Sequence, residues 1–172
     1  MGLFDKVKGA LAGPDHSPVL REQLGDDQYL AHVVVIASAS EPDRPSKAPR
    51  DVVDLAQKGA HHLIDRFVEN RHIGGEEGTV AGSLPRGSEP LVLALAEGSV
   101  TLWRFGLGAK KTSPDLVARI PREDITSIAD TGKRTARGHL RLSFTDGSFF
   151  DQQTVATPSE EFWQAADAYG AS

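Results

Sequence analysis

Asp146-Gly147 stands between two runs of alternating side chains, and no other stretch constrains the fold as tightly. Before it, Leu140, Leu142 and Phe144 alternate with Arg141, Ser143 and Thr145; after it, Phe149, Phe150 and Val155 continue a return run. A period of two is the signature of a strand with one apolar face. Glycine adopts positive φ without a Cβ clash, so Asp-Gly joins two such runs by a tight turn. An antiparallel hairpin with one face in a core is the expected result.

The preceding residues repeat this style. Leu91 to Ala96 is a strong strand, and Glu97-Gly98 turns it into Val100–Phe105. Leu116–Ile120 and Ile125–Ala129 form two more strands, separated by a turn beginning at Pro121. Thr79–Leu84 reads as a further short strand, ended by Pro85-Arg86-Gly87-Ser88. The pattern closes with a helix. Thr157 is placed to cap it, Pro158 suits the first helical position, and Glu160 completes a capping box. Phe162, Trp163, Ala166 and Tyr169 then share one apolar face, expected to plug the open end of a curved sheet as core anchors.

The first 75 residues are less regular. Leu3, Phe4, Val7 and Leu11 recur at helical spacing, consistent with a short helix docked on its own domain or frayed. Residues 29–37, YLAHVVVIA, hold four consecutive β-branched side chains, which favour a strand covered on both faces. That strand either belongs to the sheet or adds to its edge. Residues 38–50 contain three prolines and no large apolar side chain, as in a surface loop. Residues 51–72 form the longest helical pattern, with Val52, Ala56, Ala60, Leu63 and Phe67 in one stripe. Its polar face carries His61, Asp65, Glu69 and His72, which span too long a rise to share one ion, so a solvated face is the preferred reading and no metal is assigned. A polar pocket joining His61 or His72 to a carboxylate of the sheet would favour an enzyme. The expected division is an accessory segment at 1–75 and a strand-rich domain at 76–170.

Function classes narrow by exclusion. With 19 basic and 24 acidic residues the net charge is -5, which argues against non-specific binding to nucleic acid. The absence of cysteine removes disulfides, thiolate nucleophiles and thiolate metal sites. No long apolar run or signal-peptide core occurs, so a cytoplasmic protein is expected. No Gly-x-Ser-x-Gly elbow or phosphate-binding glycine loop is present, and the adjacent acid pairs Glu76-Glu77, Glu123-Asp124 and Glu160-Glu161 need not converge. Basic residues gather between Arg104 and Arg137. Lys110, Lys111, Lys133, Arg134 and Arg137 fall in inferred loops and are the candidates for gripping an anion or a lipid headgroup.

The stretches EPLVLALAEGSVTLWRFG, LVARIPREDITSI, HLRLSFTDGSFF and PSEEFWQAADAY together resemble the bacterial pleckstrin-homology-like domains related to the GRAM group. The resemblance covers about 90 of 172 residues and rests on hydrophobic and turn features. It implies an α+β fold: a small antiparallel split barrel of about seven strands with a C-terminal capping helix, here preceded by an N-terminal helical extension. It also implies a non-enzymatic binding or scaffolding module without a cofactor, engaging a protein partner. An anionic membrane surface is the first alternative and a hydrolase or small metal-dependent enzyme the second. Pairing of an uncovered sheet edge would give a homo-oligomer.

Overall fold

The structure, a computed structural model, describes residues 15–38, 72–106, 113–132 and 138–170. The expected helices at Met1–Leu11 and 51–72 lie outside these residues, except for His72 at the end of the second.

Three helices and eight strands are present among the described residues: α1 (Ser17–Leu24), β1 (Tyr29–Ala37), β2 (Ile73–Gly74), α2 (Val80–Ser83), β3 (Leu91–Ala96), β4 (Ser99–Arg104), β5 (Asp115–Pro121), β6 (Ile125–Asp130), β7 (His139–Phe144), β8 (Phe149–Thr154) and α3 (Glu160–Asp167). They make a sheet-rich α+β fold. One open antiparallel sheet runs in the order β5-β4-β3-β1-β8-β7-β6, with the two-residue β2 paired to β8. A single 3₁₀ turn, Arg122–Asp124, connects the two edge strands β5 and β6.

The expected hairpins form. Gly98 occupies the β3–β4 turn, and Asp27 fixes that turn by accepting from the Gly98 N–H (2.7 Å) and the Ser99 hydroxyl (2.5 Å). Gly147 takes φ 80° in the β7–β8 turn. There Leu140, Leu142 and Phe144 are buried, as their alternation requires.

The 29–37 strand is central: β1 pairs with β3 on one side and β8 on the other. This settles its place as a strand within the sheet, between two three-stranded meanders. Its neighbours lie more than 50 residues away in sequence, so no local signal could distinguish centre from edge.

Two apolar layers explain the continuous hydrophobic runs. Val33 and Val35 of β1, with Leu91, Leu93 and Leu95 of β3, enter the main core, where Leu140, Leu142, Phe150 and Phe162 join them. The opposite face presents Val34, Val92, Ala94, Ala96 and Trp103, and α1 covers it with Leu20 and Leu24. A strand covered on both faces has no use for a polar alternate position, which is why LVLALA reads as unbroken.

Two sequence expectations are corrected. Thr79–Leu84 is not a strand. Thr79 instead caps the single turn α2 by accepting from the Gly82 N–H (3.2 Å). The β7–β8 turn supports the same helix end: Asp146 accepts from the Val80 N–H (2.8 Å) and Ser148 from the Ala81 N–H (3.2 Å). The cap of α3 is Ser159 rather than Thr157, and it accepts from the Phe162 N–H (3.2 Å). Starting there puts Glu160 and Glu161 in the first turn, beside the positive end of the helix dipole. The Thr157–Glu160 capping box is therefore absent.

α3 touches β6 at one edge of the sheet and also β1 and β3 near its middle. One short helix can reach both only if the sheet is strongly curved. Phe162, Ala166 and the following Tyr169 are buried beneath it, and the half-buried Trp163 packs at the margin, 5.3 Å edge-on to Phe162. Tyr169 donates its hydroxyl to the carbonyls of Ala96 and Ser99 (the latter at 2.9 Å), anchoring the helix end to the β3–β4 turn. Burial pushes its pKa up to about 12.

The α1 face carries an acid-sensitive pair. His16 stacks 4.1 Å from Phe105 and lies 5.8 Å from the ring of His32, whose Nδ1 bonds the Tyr29 hydroxyl at 2.7 Å. Burial holds both imidazoles below the usual histidine pKa, and His16 adds to the effect on His32, while Asp15 opposes it. With the folded pKa depressed, the contribution to stability is complete above the unfolded value of about 6.5 and is lost as pH falls below it. Urea midpoints should therefore drop between pH 7 and pH 5.5, and the drop should shrink in a His16→Gln/His32→Gln variant. An unchanged slope would remove these histidines as the cause.

Candidate functional site

Among the described residues, two regions besides the α1 face bring chemically active side chains together. The first is a buried polar cluster on the sheet face opposite Leu140, Leu142 and Phe150. Register creates it: Arg141 pairs across from Asp151 and His139 from Gln153, while Ile73 pairs with Phe150 and so leaves His72 beside Asp151. Asp151 is fully buried. Arg141 donates to both of its oxygens, Nε to Oδ1 at 2.6 Å and a terminal nitrogen to Oδ2 at 3.0 Å. His72 Nδ1 lies 3.2 Å from Oδ2. A fixed guanidinium fork on a carboxylate is among the stronger charge-assisted arrangements.

Arg141 is itself supported. Its guanidinium carbon lies 3.8 Å over the Phe149 ring, and that ring packs against Gly74 so closely that a Cβ there would sit 2.0 Å from a ring carbon. Glycine at 74 thus makes room for the ring that carries Arg141.

His139 belongs to the same cluster, with its ring 5.8 Å from that of His72. Its Nε2 lies 2.9 Å from the Ser38 hydroxyl, and its Nδ1 lies 2.7 Å from the Thr131 hydroxyl. The Thr131 hydroxyl also donates to the His139 carbonyl (3.4 Å), so one side chain contacts both the ring and the backbone of His139. Each ring nitrogen of His139 is thus engaged by a hydroxyl.

The second region is the corner between β5 and β6, flanked by two open clefts. One, about 400 Å³, is lined by Arg122, Glu123, Ile125, Thr126, Thr145 and Tyr169. The other, about 370 Å³, runs between α2 and β5, with Val80, Ser83 and Leu84 on one side and Val117 to Pro121 on the other. In the first cleft Arg122 is held in place: it lies 4.4 Å over the Tyr169 ring and donates to the carbonyls of Glu97 (3.4 Å) and Ala168.

The five sequence-derived candidates, Lys110, Lys111, Lys133, Arg134 and Arg137, lie outside the described residues. Of the other basic residues in that stretch, Arg104 pairs with Glu89 at 2.8 Å and Arg122 is committed to Tyr169 and its carbonyls. Arg119 is exposed on β5.

Sequence reading singled out His72 but gave it a solvated face, and it assigned no role to Asp151 or His139. The cluster joins residues of two strands, β7 and β8, to residues flanking β1, β2 and β6, with His72 and Asp151 separated by 79 positions. The one available hint was the Phe149-Phe150-Asp151 run, where a carboxylate stands inside an otherwise apolar strand start.

Comparison with known protein families and with curated proteins returns no match. The cluster has its donors and acceptors turned towards one another, and it ties together β7, β8 and the residues flanking β1 and β2. The corner faces outward.

Proposed function

We propose that this chain is a non-enzymatic binding module of the pleckstrin-homology-like split-barrel type, which recognises a short segment of a protein partner at the β5–β6 corner. The observation that carries this reading is the 400 Å³ cleft at that corner, within the size range of ligand-binding clefts. Ile125 and Tyr169 provide an apolar floor; Arg122, Glu123 and the exposed Thr126 and Thr145 supply a polar rim. Such a lining suits an extended peptide with one apolar anchor and flanking polar groups. The strand order also supports the barrel type, because two three-stranded meanders meet at a shared first strand and a C-terminal helix spans the bend.

Recognition through the cleft is favoured over pairing at a sheet edge. Register shifts place a bulge in each edge strand, at Val117 of β5 and Thr126 of β6. β5 also carries Asp115, Arg119 and Pro121. Bulges, charges and proline are devices that oppose edge-to-edge association. The buried cluster gives the enzyme reading less support, since Asp151 is held by two donors from Arg141 and is shielded from solvent.

Peptides selected from a random library on the intact chain test the proposal. Binding should be lost in Thr126→Trp, which fills the first cleft, and retained in Ser83→Trp, which fills the second. Both positions are exposed, so neither substitution disturbs the core. Failure to enrich any sequence, or equal binding to both variants, would contradict the cleft. Vesicles with anionic lipid form the competing arm. Salt-sensitive binding abolished by reversing Lys110, Lys111, Lys133 and Arg134 would move the function to the basic loops.

A further inference from the structure

We infer that His72, His139 and Asp151 form a binding site for a divalent transition-metal ion of the zinc type. One ligand atom from each residue lies within 4.8 Å of the other two. Two imidazoles and a carboxylate are a donor set that zinc accepts in four-coordinate sites, leaving one position for a hydroxyl or water. With metal–ligand distances of about 2.1 Å, tetrahedral ligands stand about 3.4 Å apart. His72 Nδ1 and Asp151 Oδ2 are already 3.2 Å apart, and the His139 ligand atom lies within 4.8 Å of both, so capture of an ion draws His139 inward by up to about 1.4 Å.

The surroundings have the features of a supported metal centre. Thr131 holds the His139 ring through Nδ1 at 2.7 Å, and a partner on one ring nitrogen is what normally orients a histidine that ligates through the other. Arg141 orients the Asp151 carboxylate through both oxygens, Oδ1 at 2.6 Å and Oδ2 at 3.0 Å, and Oδ2 also faces His72, so an ion would share Oδ2 with the guanidinium. The Ser38 hydroxyl lies 2.9 Å from His139 Nε2, the hydrogen bond an ion on that nitrogen would displace. Asp151 is fully buried and the His72 side chain is 15% exposed, so the imidazole forms the route by which an ion arrives. Capture of the ion replaces the His72–Asp151 and Ser38–His139 hydrogen bonds with coordination. It thereby cross-links β7, β8 and the residue preceding β2, and the Arg141 cation keeps the affinity below that of a site with an uncompensated carboxylate.

The test uses the full chain after chelation and dialysis, with Zn²⁺ followed by calorimetry and Co²⁺ by visible absorption. One equivalent of Zn²⁺ should bind and raise the melting midpoint, and Co²⁺ should give the intense band of a four-coordinate site. His72→Ala should weaken binding by more than about 100-fold, and Thr131→Ala by about 10–100-fold, as for an outer-shell partner. His16→Gln/His32→Gln should leave affinity unchanged. Absence of stoichiometric binding in the wild type would overturn the assignment. So would affinity that survives both His72→Ala and Thr131→Ala, or that follows His16 and His32.

Discussion

Replacing Arg141 with methionine is expected to destabilise the fold by about 3–5 kcal/mol, the range for removing one partner of a buried ion pair. The asymmetry of the pair sets this magnitude. Arg141 is 37% exposed, but Asp151 is fully buried, so the substitution strands the carboxylate rather than the cation. Both carboxylate oxygens lose an Arg141 donor at once. Methionine keeps much of the stem that lies over Phe149, which limits the packing loss. Urea denaturation measures the effect, and the Arg141→Met/Asp151→Asn double variant should recover part of it. A loss under about 1 kcal/mol, the value of an exposed pair, would show that Asp151 reaches water.

Phe162→Ala should cost about 3–5 kcal/mol, as expected for truncating a fully buried aromatic side chain. Its ring enters the main core where α3 bridges β1, β3 and β6. The neighbouring Trp163 is half-buried, and Trp163→Ala should cost distinctly less. Equal losses at the two positions, or a negligible loss at Phe162, would mean that α3 does not close the bend of the sheet.

The parts of this fold legible in sequence were those whose causes are local. The β7–β8 hairpin follows from Asp146-Gly147 and the alternation around it, and the α3 face from the spacing of Phe162, Ala166 and Tyr169. Where two local signals competed, the boundary moved: Thr157 and Ser159 can each cap a helix, and the two glutamates after Ser159 favour the later start. α2 was misread because its supporting acceptors, Asp146 and Ser148, lie more than 60 residues away. Long range also hid the polar cluster. Arg141 was correctly placed on the face opposite Leu140 and Leu142, but nothing near it announces Asp151 as its partner or His72 as its neighbour. The corner cleft could not be anticipated either, since it needs β6, the β7–β8 turn and the end of α3 to converge.

Amide hydrogen exchange on the full chain, with and without the strongest selected peptide, tests recognition at the corner most directly. Slower exchange concentrated at Arg122–Thr126, Thr145 and Tyr169, with α1 and β1 unchanged, is the predicted result. Protection confined to other segments, or none at saturating peptide, would contradict the corner as the binding surface.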